Sequence, residues 1–163
     1  MDTASPKERS RIMAKVKGRG NKSTELKLIK LFKEHSVKGW RRNYPLAGSP
    51  DFVFFKPRLA IFVDGCFWHG CKDHCRIPES NRNYWVEKID KNLKRDKRIN
   101  KELKEKKWNV IRIWEHELNK YNHKKKLGKI KKIVKQGAAP DRYSAALHSG
   151  RRASSLATYR GWR

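Results

Sequence analysis

The side chains most able to bind a metal or move a proton are concentrated in one short stretch of the sequence, residues 64–75. This stretch includes Asp64, Cys66, His69, Cys71, His74 and Cys75. Cysteine and histidine are the usual ligands of zinc in proteins. Three cysteines within ten residues cannot form a complete disulfide set, so the spacing favours reduced thiols that act as metal ligands. We therefore expect the chemistry of this protein to centre on residues 64–75.

A zinc site is the first prediction for this stretch. Cys66, Cys71 and His74 offer two thiolates and an imidazole, and His116 could complete a tetrahedron from a distant part of the chain. Four such ligands leave no open position, so a zinc ion here would be structural. Two alternatives stay open: Cys75 could replace His74, and His69 could replace His116. The remaining interpretation, two buried thiols with solvent-facing histidines, is less favoured.

Two aspartates stand at the ends of neighbouring apolar segments and predict a second metal site. Asp51 opens the segment 52–55, and Asp64 follows the segment 59–63. A hairpin of these segments would bring both carboxylates to one edge of a sheet, where they could hold Mg²⁺ for phosphodiester hydrolysis. Glu25 could add a ligand through water. Because an aspartate next to proline or glycine is also an ordinary turn residue, the prediction depends on the pairing.

His69 and several aromatic side chains complete the set of candidate functional residues. His69 is not needed for the zinc tetrahedron and could act as a general acid or base. The rings of Phe67, Trp68 and Trp85 are interleaved with positive charge and could wedge between base pairs. Met13 could reach the opposite groove. The alternative places these rings in the core, and helical spacing gives that interpretation nearly equal weight for Trp85.

The composition indicates one strongly basic domain. The chain has 163 residues, and its 42 Lys and Arg against 16 Asp and Glu give a formal net charge of +26. Such an excess favours a polyanionic partner, with nucleic acid ahead of an anionic membrane surface. No stretch approaches the ~18 apolar residues of a spanning helix, and the N-terminus lacks the apolar core of a signal peptide. We therefore expect a cytoplasmic protein.

The apolar periodicity predicts the elements that must position these side chains. A basic arm over residues 1–20 should precede a domain over residues 21–136, and residues 137–163, which contain no lysine, should be disordered or non-native. Within the domain we predict, in order, a helix from Ser23 to His35, strands over 40–44, 51–55 and 59–63, a helix from about Arg82 to Lys106, a strand from Asn109 to Trp114, and a closing helix ending near Gln136.

Several of these segments resemble a known family, the very short patch repair endonucleases. The similarity covers roughly residues 5–135 and is carried by Pro50-Asp51, Phe62 to Cys71, Asn81 to Trp85 and Trp108 to Glu115. It implies an α/β fold with a restriction-endonuclease-like (PD-(D/E)xK) core, in which helices flank a central mixed β-sheet and zinc has a structural role. It also implies a Mg²⁺-dependent endonuclease that nicks one strand of double-stranded DNA 5′ of the thymine in a T:G mismatch made by deamination of 5-methylcytosine. A nickase of one strand has no need of two-fold symmetry, which favours a monomer. The implied partners are a DNA cytosine methyltransferase and mismatch-repair proteins, through a functional link.

The resemblance also implies a role for each matched residue. Asp51 would be the central Mg²⁺ ligand together with the backbone carbonyl of Val63, Glu25 would orient metal-bound water, and His69 would assist proton transfer. Zinc would be bound by Cys66, Cys71, His74 and His116. The rings that would intercalate, opposite Met13, are those of Phe67, Trp68 and Trp85. Some members carry Thr-His where this chain has Val63-Asp64, so Asp64 stands in place of a catalytic histidine. Two rival interpretations use the same residues: a restriction-like or less specific DNA nickase, and a non-catalytic zinc-stapled DNA-binding protein.

Overall fold

The computed structural model of the chain describes residue 11, residues 24–119 and residues 122–138. Met13, with most of the predicted N-terminal arm, and the predicted tail beyond residue 138 lie outside the described residues. In the described ranges, no helix is long and apolar enough to cross a membrane.

The described part of the chain alternates helices and strands in the order αββαβα. The helices are α1 (Glu25–Glu34), α2 (Arg82–Glu105) and α3 (His123–Ala138), and the strands are β1 (Phe52–Phe54), β2 (Leu59–Asp64) and β3 (Asn109–Trp114), which is followed by a 3-10 turn, Glu115–Leu118. The predicted helices and the last three strands are confirmed to within a few residues. The closing helix continues two residues beyond the domain boundary that was predicted at Gln136.

The predicted strand over residues 40–44 is wrong. Arg41 pairs with Val53 of β1 in an isolated bridge, and no ladder continues from it in the described residues. Asn43, two residues later, has a left-handed φ of 54°. Since a strand needs a negative φ at every position, the chain turns away there and the pairing ends.

The three strands form a mixed sheet in the order β1-β2-β3. β1 and β2 are an antiparallel hairpin, and β2 and β3 are parallel, with the paired residues running from Leu59↔Asn109 to Asp64↔Trp114. A parallel pair needs a crossover connection, which here contains α2. The parallel register brings the ends of β2 and β3 side by side, so the segments that follow them begin next to each other.

Helices cover both faces of the sheet. On one face, Phe52, Ile61 and Ile113 pack with residues of α1 and α3, including Phe32 and Ile130. Side chains alternate across a strand, so the neighbours of Ile61 and Val63 point the other way. There Ala60 and Phe62 pack against Ile99 and Leu103 of α2. This arrangement confirms an α/β fold with a mixed sheet between helices, and it directs Asp64 toward α2.

The buried stripe of α2 contains one acidic residue. Its buried positions are Trp85, Ile89, Asp96, Ile99 and Leu103. The exposed side carries Glu87–Lys91 and Asp90–Lys94 ion pairs at i,i+4 spacing, which solvent screens. An aspartate in the apolar stripe is different, because a buried carboxylate needs a partner. Asp96 therefore marks a polar site under the helix.

Candidate active site and metal-binding cluster

The hairpin places Asp51 against the end of β2, as the apolar segments predicted. The backbone N–H of Val63 donates a hydrogen bond of 2.7 Å to Asp51 Oδ2. Burial raises the pKa of the Asp51 carboxyl from 3.8 to about 6, the Val63 N–H partly offsets this, and the charges of Glu25 and Asp64 raise it further. Because two acids repel the charge of the Asp51 carboxylate, a cation would stabilise the site.

Asp51 lies between two cavities. One, of about 250 Å³, is shared with Glu25. The other, of about 210 Å³, is shared with Asp64, His69 and Arg95. The hairpin and the stretch after β2 therefore bring a buried carboxylate and a histidine to one cavity, as expected from their order in the sequence.

Glu25 is itself buried and paired with a cation. Its side chain is 5% exposed and forms an ion pair with Arg42. Arg42 belongs to the segment for which sequence reasoning predicted a strand, and it was not expected at the site. An ion pair of this kind orients the Glu25 carboxylate, so the conformation of residues 40–44 bears on the site directly.

The Asp64 carboxylate binds an arginine that sequence reasoning did not single out. Asp64 is 4% exposed, and both of its oxygens accept hydrogen bonds from Arg112, Nε to Oδ2 at 2.6 Å and Nη2 to Oδ1 at 2.7 Å. Burial opposes the charge of the Arg112 guanidinium, but the hydrogen bonds and charges of Asp64 and Asp96 together raise its pKa above the ordinary value. Asp64 thus lies close to Asp51 as predicted, yet both oxygens expected to meet a metal are engaged by Arg112.

His69 is held by a second unexpected residue, Asp96 of α2. The His69 Nδ1 atom lies 2.6 Å from Asp96 Oδ2 and 3.7 Å from Asp64 Oδ1. A carboxylate can only accept, so Nδ1 is the donor in the Asp96 contact and Nε2 remains the nitrogen that can exchange a proton. The sequence carried a signal for each missed residue. Arg112 interrupts an apolar strand, and Asp96 occupies a core position of a helix.

A separate group of side chains has the composition of a zinc site. The ligand atoms of Cys66, Cys71, His74 and His116 all lie within 4.8 Å of one another. The Cys66 Sγ–His116 Nδ1 distance is 3.2 Å, and Cys71 Sγ lies 3.7 Å from Nδ1 of both histidines. A zinc tetrahedron with ordinary bond lengths separates its ligands by about 3.3–3.8 Å. Both the donor types and their spacing therefore fit a zinc ion.

The geometry also separates the cluster from the two alternative ligands. The thiol of Cys75 donates to the carbonyl oxygen of Phe67 at 3.5 Å, and His69 faces Asp96 instead. The cluster connects the turn after β2 with the 3-10 turn after β3. Burial raises the pKa of the Cys66 thiol, and the neighbouring Cys71 raises it further. A bound divalent ion would reverse this effect by favouring the thiolates.

The stretch between the cysteines lies closely on α2. Gly70 has a left-handed φ of 63°, and a β-carbon added there would come within 3.1 Å of Ile89. Glycine therefore meets both a backbone and a packing requirement at this position. The Asn92 side chain, also on α2, donates a 2.9 Å hydrogen bond to the carbonyl oxygen of Trp68. These contacts fix the backbone that carries the two aromatic residues.

The predicted aromatic residues form one cluster. The ring centroids of Phe67, Trp68 and Trp85 are 5.2–6.0 Å apart with edge-to-face geometry. Trp85 is only 9% exposed, in agreement with its core alternative, whereas Phe67 and Trp68 are half-buried. Tyr84, which sequence reasoning missed, is 58% exposed and packs 5.1 Å from Trp85. The outward-facing rim of this cluster thus consists of Phe67, Trp68 and Tyr84.

Comparison with known proteins identifies the family. A family model described as DNA mismatch endonuclease Vsr matches residues 1–76. The chain is 36% identical over 122 residues to the type II nicking enzyme V.NmeDIP of Neisseria meningitidis serogroup C, which covers 74% of this chain and 82% of that protein.

Two shorter matches agree with this result. The chain is 48% identical over 69 residues to the type II nicking enzyme V.NaeI of Lentzea aerocolonigenes, or 42% of each protein. It is 44% identical over 73 residues to DNA mismatch endonuclease Vsr of Escherichia coli K12, or 43% of this chain and 46% of that protein. These two alignments span less than half of either relative, whereas the V.NmeDIP alignment spans most of its length. The predicted resemblance is confirmed, and the chain belongs to the Vsr family of DNA endonucleases.

Proposed function

We propose that this protein nicks one strand of double-stranded DNA 5′ of the thymine in a T:G mismatch, with Mg²⁺ as its catalytic cofactor. The proposal depends chiefly on the 210 Å³ cavity that Asp51 and His69 share. It combines a half-buried acid able to bind a metal with a histidine able to transfer a proton. The name of one relative, a DNA mismatch endonuclease, supports the mismatch as substrate. The flanked mixed sheet is compatible with a restriction-endonuclease-like (PD-(D/E)xK) core.

Mg²⁺ would be held by Asp51 and the backbone carbonyl of Val63, with Glu25 orienting a water ligand. Mg²⁺ usually takes one or two carboxylates and keeps several waters, so Asp51 and the Val63 carbonyl would suffice as its direct protein ligands. The repulsion that Glu25 and Asp64 exert on Asp51 also favours a cation. When bound, the ion would neutralise charge on the scissile phosphate and lower the pKa of a water molecule. His69 Nε2 would exchange the proton, while the half-exposed Arg95 lies close enough to attract a phosphate.

Zn²⁺ is the ion we assign to Cys66, Cys71, His74 and His116. With four protein ligands it has no position for substrate, so its role would be structural. It would join the ends of β2 and β3 and hold Phe67 and Trp68 between two of its ligands. The catalytic acids and the aromatic rim would then share one rigid frame.

The mismatch itself provides the first test. Purified protein with Mg²⁺ and salt held constant is incubated with matched duplexes that contain T:G, T:A or C:G at one position. We expect nicking at the T:G duplex at a rate at least about a hundredfold above the other two, because a wobble pair costs less to open. Nicking of all three at equal rates would instead favour the restriction-like nickase, for which the names of V.NmeDIP and V.NaeI are the supporting observation. Binding with no nicking would favour the non-catalytic DNA-binding protein.

The aromatic rim should act in recognition rather than in chemistry. Trp68→Ala is expected to weaken binding to the T:G duplex by about tenfold to a hundredfold, since one ring stacked on a base is worth about 1–3 kcal/mol. The measurement is duplex affinity by fluorescence anisotropy, together with the emission of a 2-aminopurine placed beside the mismatch. Phe55→Ala removes an exposed ring that lies outside the aromatic rim and should leave both readings unchanged. Equal losses in the two variants would argue against intercalation by Trp68.

The same proposal gives the protein its partners. A T:G mismatch arises when 5-methylcytosine deaminates, so a DNA cytosine methyltransferase would create the sites on which this protein acts, upstream of mismatch-repair proteins. A nick in one strand needs no two-fold symmetry, which favours a monomer. Met13, outside the described residues, is proposed to contact the groove opposite the rim.

A further inference from the structure

We propose that Arg112 is a positioning residue, which aligns the Asp64 and Asp96 carboxylates so that His69 presents a single ring nitrogen to the reaction cavity. This inference deepens the proposed function and rests on it. It also gives Asp64 a role other than metal binding.

Arg112 is fixed by contacts with two elements of the fold, β2 and α2. Two hydrogen bonds join it to Asp64 at the end of β2, and its Nη2 lies 3.1 Å from Asp96 Oδ2 on α2. Its Nη1 donates to Asn100 Oδ1 at 3.4 Å, one helical turn beyond Asp96. The guanidinium lies over the Phe62 ring, 4.9 Å from its centroid. These contacts orient the guanidinium from both the sheet and the covering helix.

The sheet register explains why these groups meet. Arg112 of β3 is the direct parallel partner of Phe62 of β2, and Asp64 lies two residues further along the same face. Phe62 packs against Ile99 and Leu103, so this face looks toward α2. One guanidinium therefore reaches a carboxylate of its own sheet and a carboxylate of the covering helix. The contacts of the Arg112 side chain described above therefore come from β2 and α2.

The decisive atom is Asp96 Oδ2, because it contacts both Arg112 and His69. Arg112 Nη2 itself lies 3.4 Å from His69 Nδ1, but a nitrogen that gives its proton to Asp96 cannot also accept one from the guanidinium. It lies 3.1 Å from Arg112 Nη2 and 2.6 Å from His69 Nδ1. The second carboxylate available to His69, that of Asp64, lies 3.7 Å away and has both oxygens bound to Arg112. Arg112 thus leaves one acceptor for His69 instead of two. Without it, two neighbouring carboxylates would repel each other and compete for the same imidazole.

Arg112→Lys tests the proposal because lysine keeps the charge but cannot form the two-pronged contact. We expect the single-turnover nicking rate on the T:G duplex to fall about tenfold to a hundredfold, as for other residues that orient a catalytic group through one intermediate. Duplex affinity should stay within about twofold, since Arg112 does not touch DNA in this scheme. Ile130→Val, a small core change on the opposite face of the sheet, is the control for general destabilisation and should retain the full rate. A loss in the control equal to that in Arg112→Lys would overturn the proposal.

The histidine can also be observed without DNA. In ¹⁵N-resolved NMR spectra, with the His69 signals assigned from their absence in His69→Gln, the wild-type ring should be a single tautomer protonated at Nδ1. In Arg112→Lys and in Asp64→Asn the ring should populate both tautomers. An unchanged tautomer in both variants would refute the positioning role, and Asp64→Asn serves alone if Arg112→Lys does not fold.

A double-mutant cycle completes the test. If Asp64 and Arg112 act through one chain of contacts, the double variant should nick no more slowly than the slower single variant. Rate losses that simply multiply would overturn the inference. Failure of the proposed function would look different, because the wild type would then nick no T:G duplex although the tautomer still depended on Arg112.

Discussion

Asp51→Asn is expected to abolish nicking and, in the same protein, to raise the melting temperature. The Asp51 carboxyl is half-buried, and desolvation together with the charges of Glu25 and Asp64 raises its pKa from 3.8 to about 6. At pH 7 the folded protein must therefore hold an unfavourable charge, which costs on the order of 2–3 kcal/mol at 1.36 kcal/mol per pKa unit. An amide keeps an oxygen that can accept the Val63 N–H but carries no charge. It is also a poor Mg²⁺ ligand, so we expect a fall in the nicking rate of about a thousandfold or more.

The pH dependence of stability separates this explanation from a general packing effect. Because the folded pKa lies above the unfolded one, the penalty is absent below about pH 4, where the carboxyl is protonated in both states, and it is complete above about pH 6. Wild type and Asp51→Asn should thus have equal melting temperatures near pH 4 and diverge as the pH rises. The measurement is thermal unfolding at fixed ionic strength without added Mg²⁺. Asp90→Asn, on the exposed side of α2, should shift stability by no more than about 0.5 kcal/mol at any pH.

Two results would contradict the assignment. If the Asp51→Asn variant nicked at the wild-type rate, Asp51 could not be a ligand of the catalytic metal. A stability gain that persisted unchanged at pH 4 would show that charge burial is not its cause. Retained duplex binding in an inactive variant would at the same time exclude the non-catalytic interpretation of the wild type.

The position of Asp51 could be predicted from sequence because it depends on local pairing. Two apolar segments separated by Lys56-Pro57-Arg58 have few ways to pair, and the hairpin puts Asp51 beside Val63 whatever the rest of the chain does. The same pattern predicted the ends of α2 and β3. The failed strand over residues 40–44 depended on one backbone angle at Asn43, which neither composition nor periodicity reveals.

The roles of Asp64 and His69 could not be predicted in the same way, because their partners are distant in sequence. Asp64 binds Arg112, 48 residues away, and His69 binds Asp96, 27 residues away. Knowing these pairs requires the register of β2 against β3 and the rotation of α2 over the sheet. Proximity along the chain suggested a metal ligand, whereas the pleat of β2 turns the Asp64 side chain toward the helix. The clue that the sequence did offer was a charged residue, Arg112 or Asp96, at a position that the apolar pattern assigns to the core.

The choice between His74 and Cys75 also required three dimensions. The two residues are adjacent, and both could coordinate zinc. Hydrogen bonds from the Cys71 N–H to the Cys66 carbonyl and from the Cys75 N–H to the Cys71 carbonyl fold this stretch into successive turns. In this conformation His74 faces Cys71 and His116, whereas the Cys75 thiol turns toward the carbonyl of Phe67.

Cys71→Ser should therefore lose bound zinc and much of the protein's stability, whereas Cys75→Ser should keep both. We expect one zinc ion per chain in the wild type and in Cys75→Ser, measured by mass spectrometry of the metal content, and far less than one in Cys71→Ser. Structural zinc contributes folding free energy directly. A loss of 2 kcal/mol or more would lower the melting temperature by about 10 °C in a domain of this size. Cys75→Ser is the matched control, since it makes the same chemical change four residues away.

The two metal assignments predict different failures, and this difference tests them together. Asp51→Asn should keep its zinc, its fold and its affinity for the T:G duplex while losing nicking. Cys71→Ser should lose zinc and release the backbone that holds Phe67 and Trp68. It should therefore lose both duplex affinity and nicking, and added Mg²⁺ should restore neither the affinity nor the nicking. If Cys75→Ser lost zinc and Cys71→Ser retained it, the ligand set would be wrong. If the wild type bound no zinc but kept its stability, the four side chains would be a packed core group. The rigidity of the aromatic rim would then have to come from the packing of Gly70 on α2 and the hydrogen bond from Asn92 to the Trp68 carbonyl alone.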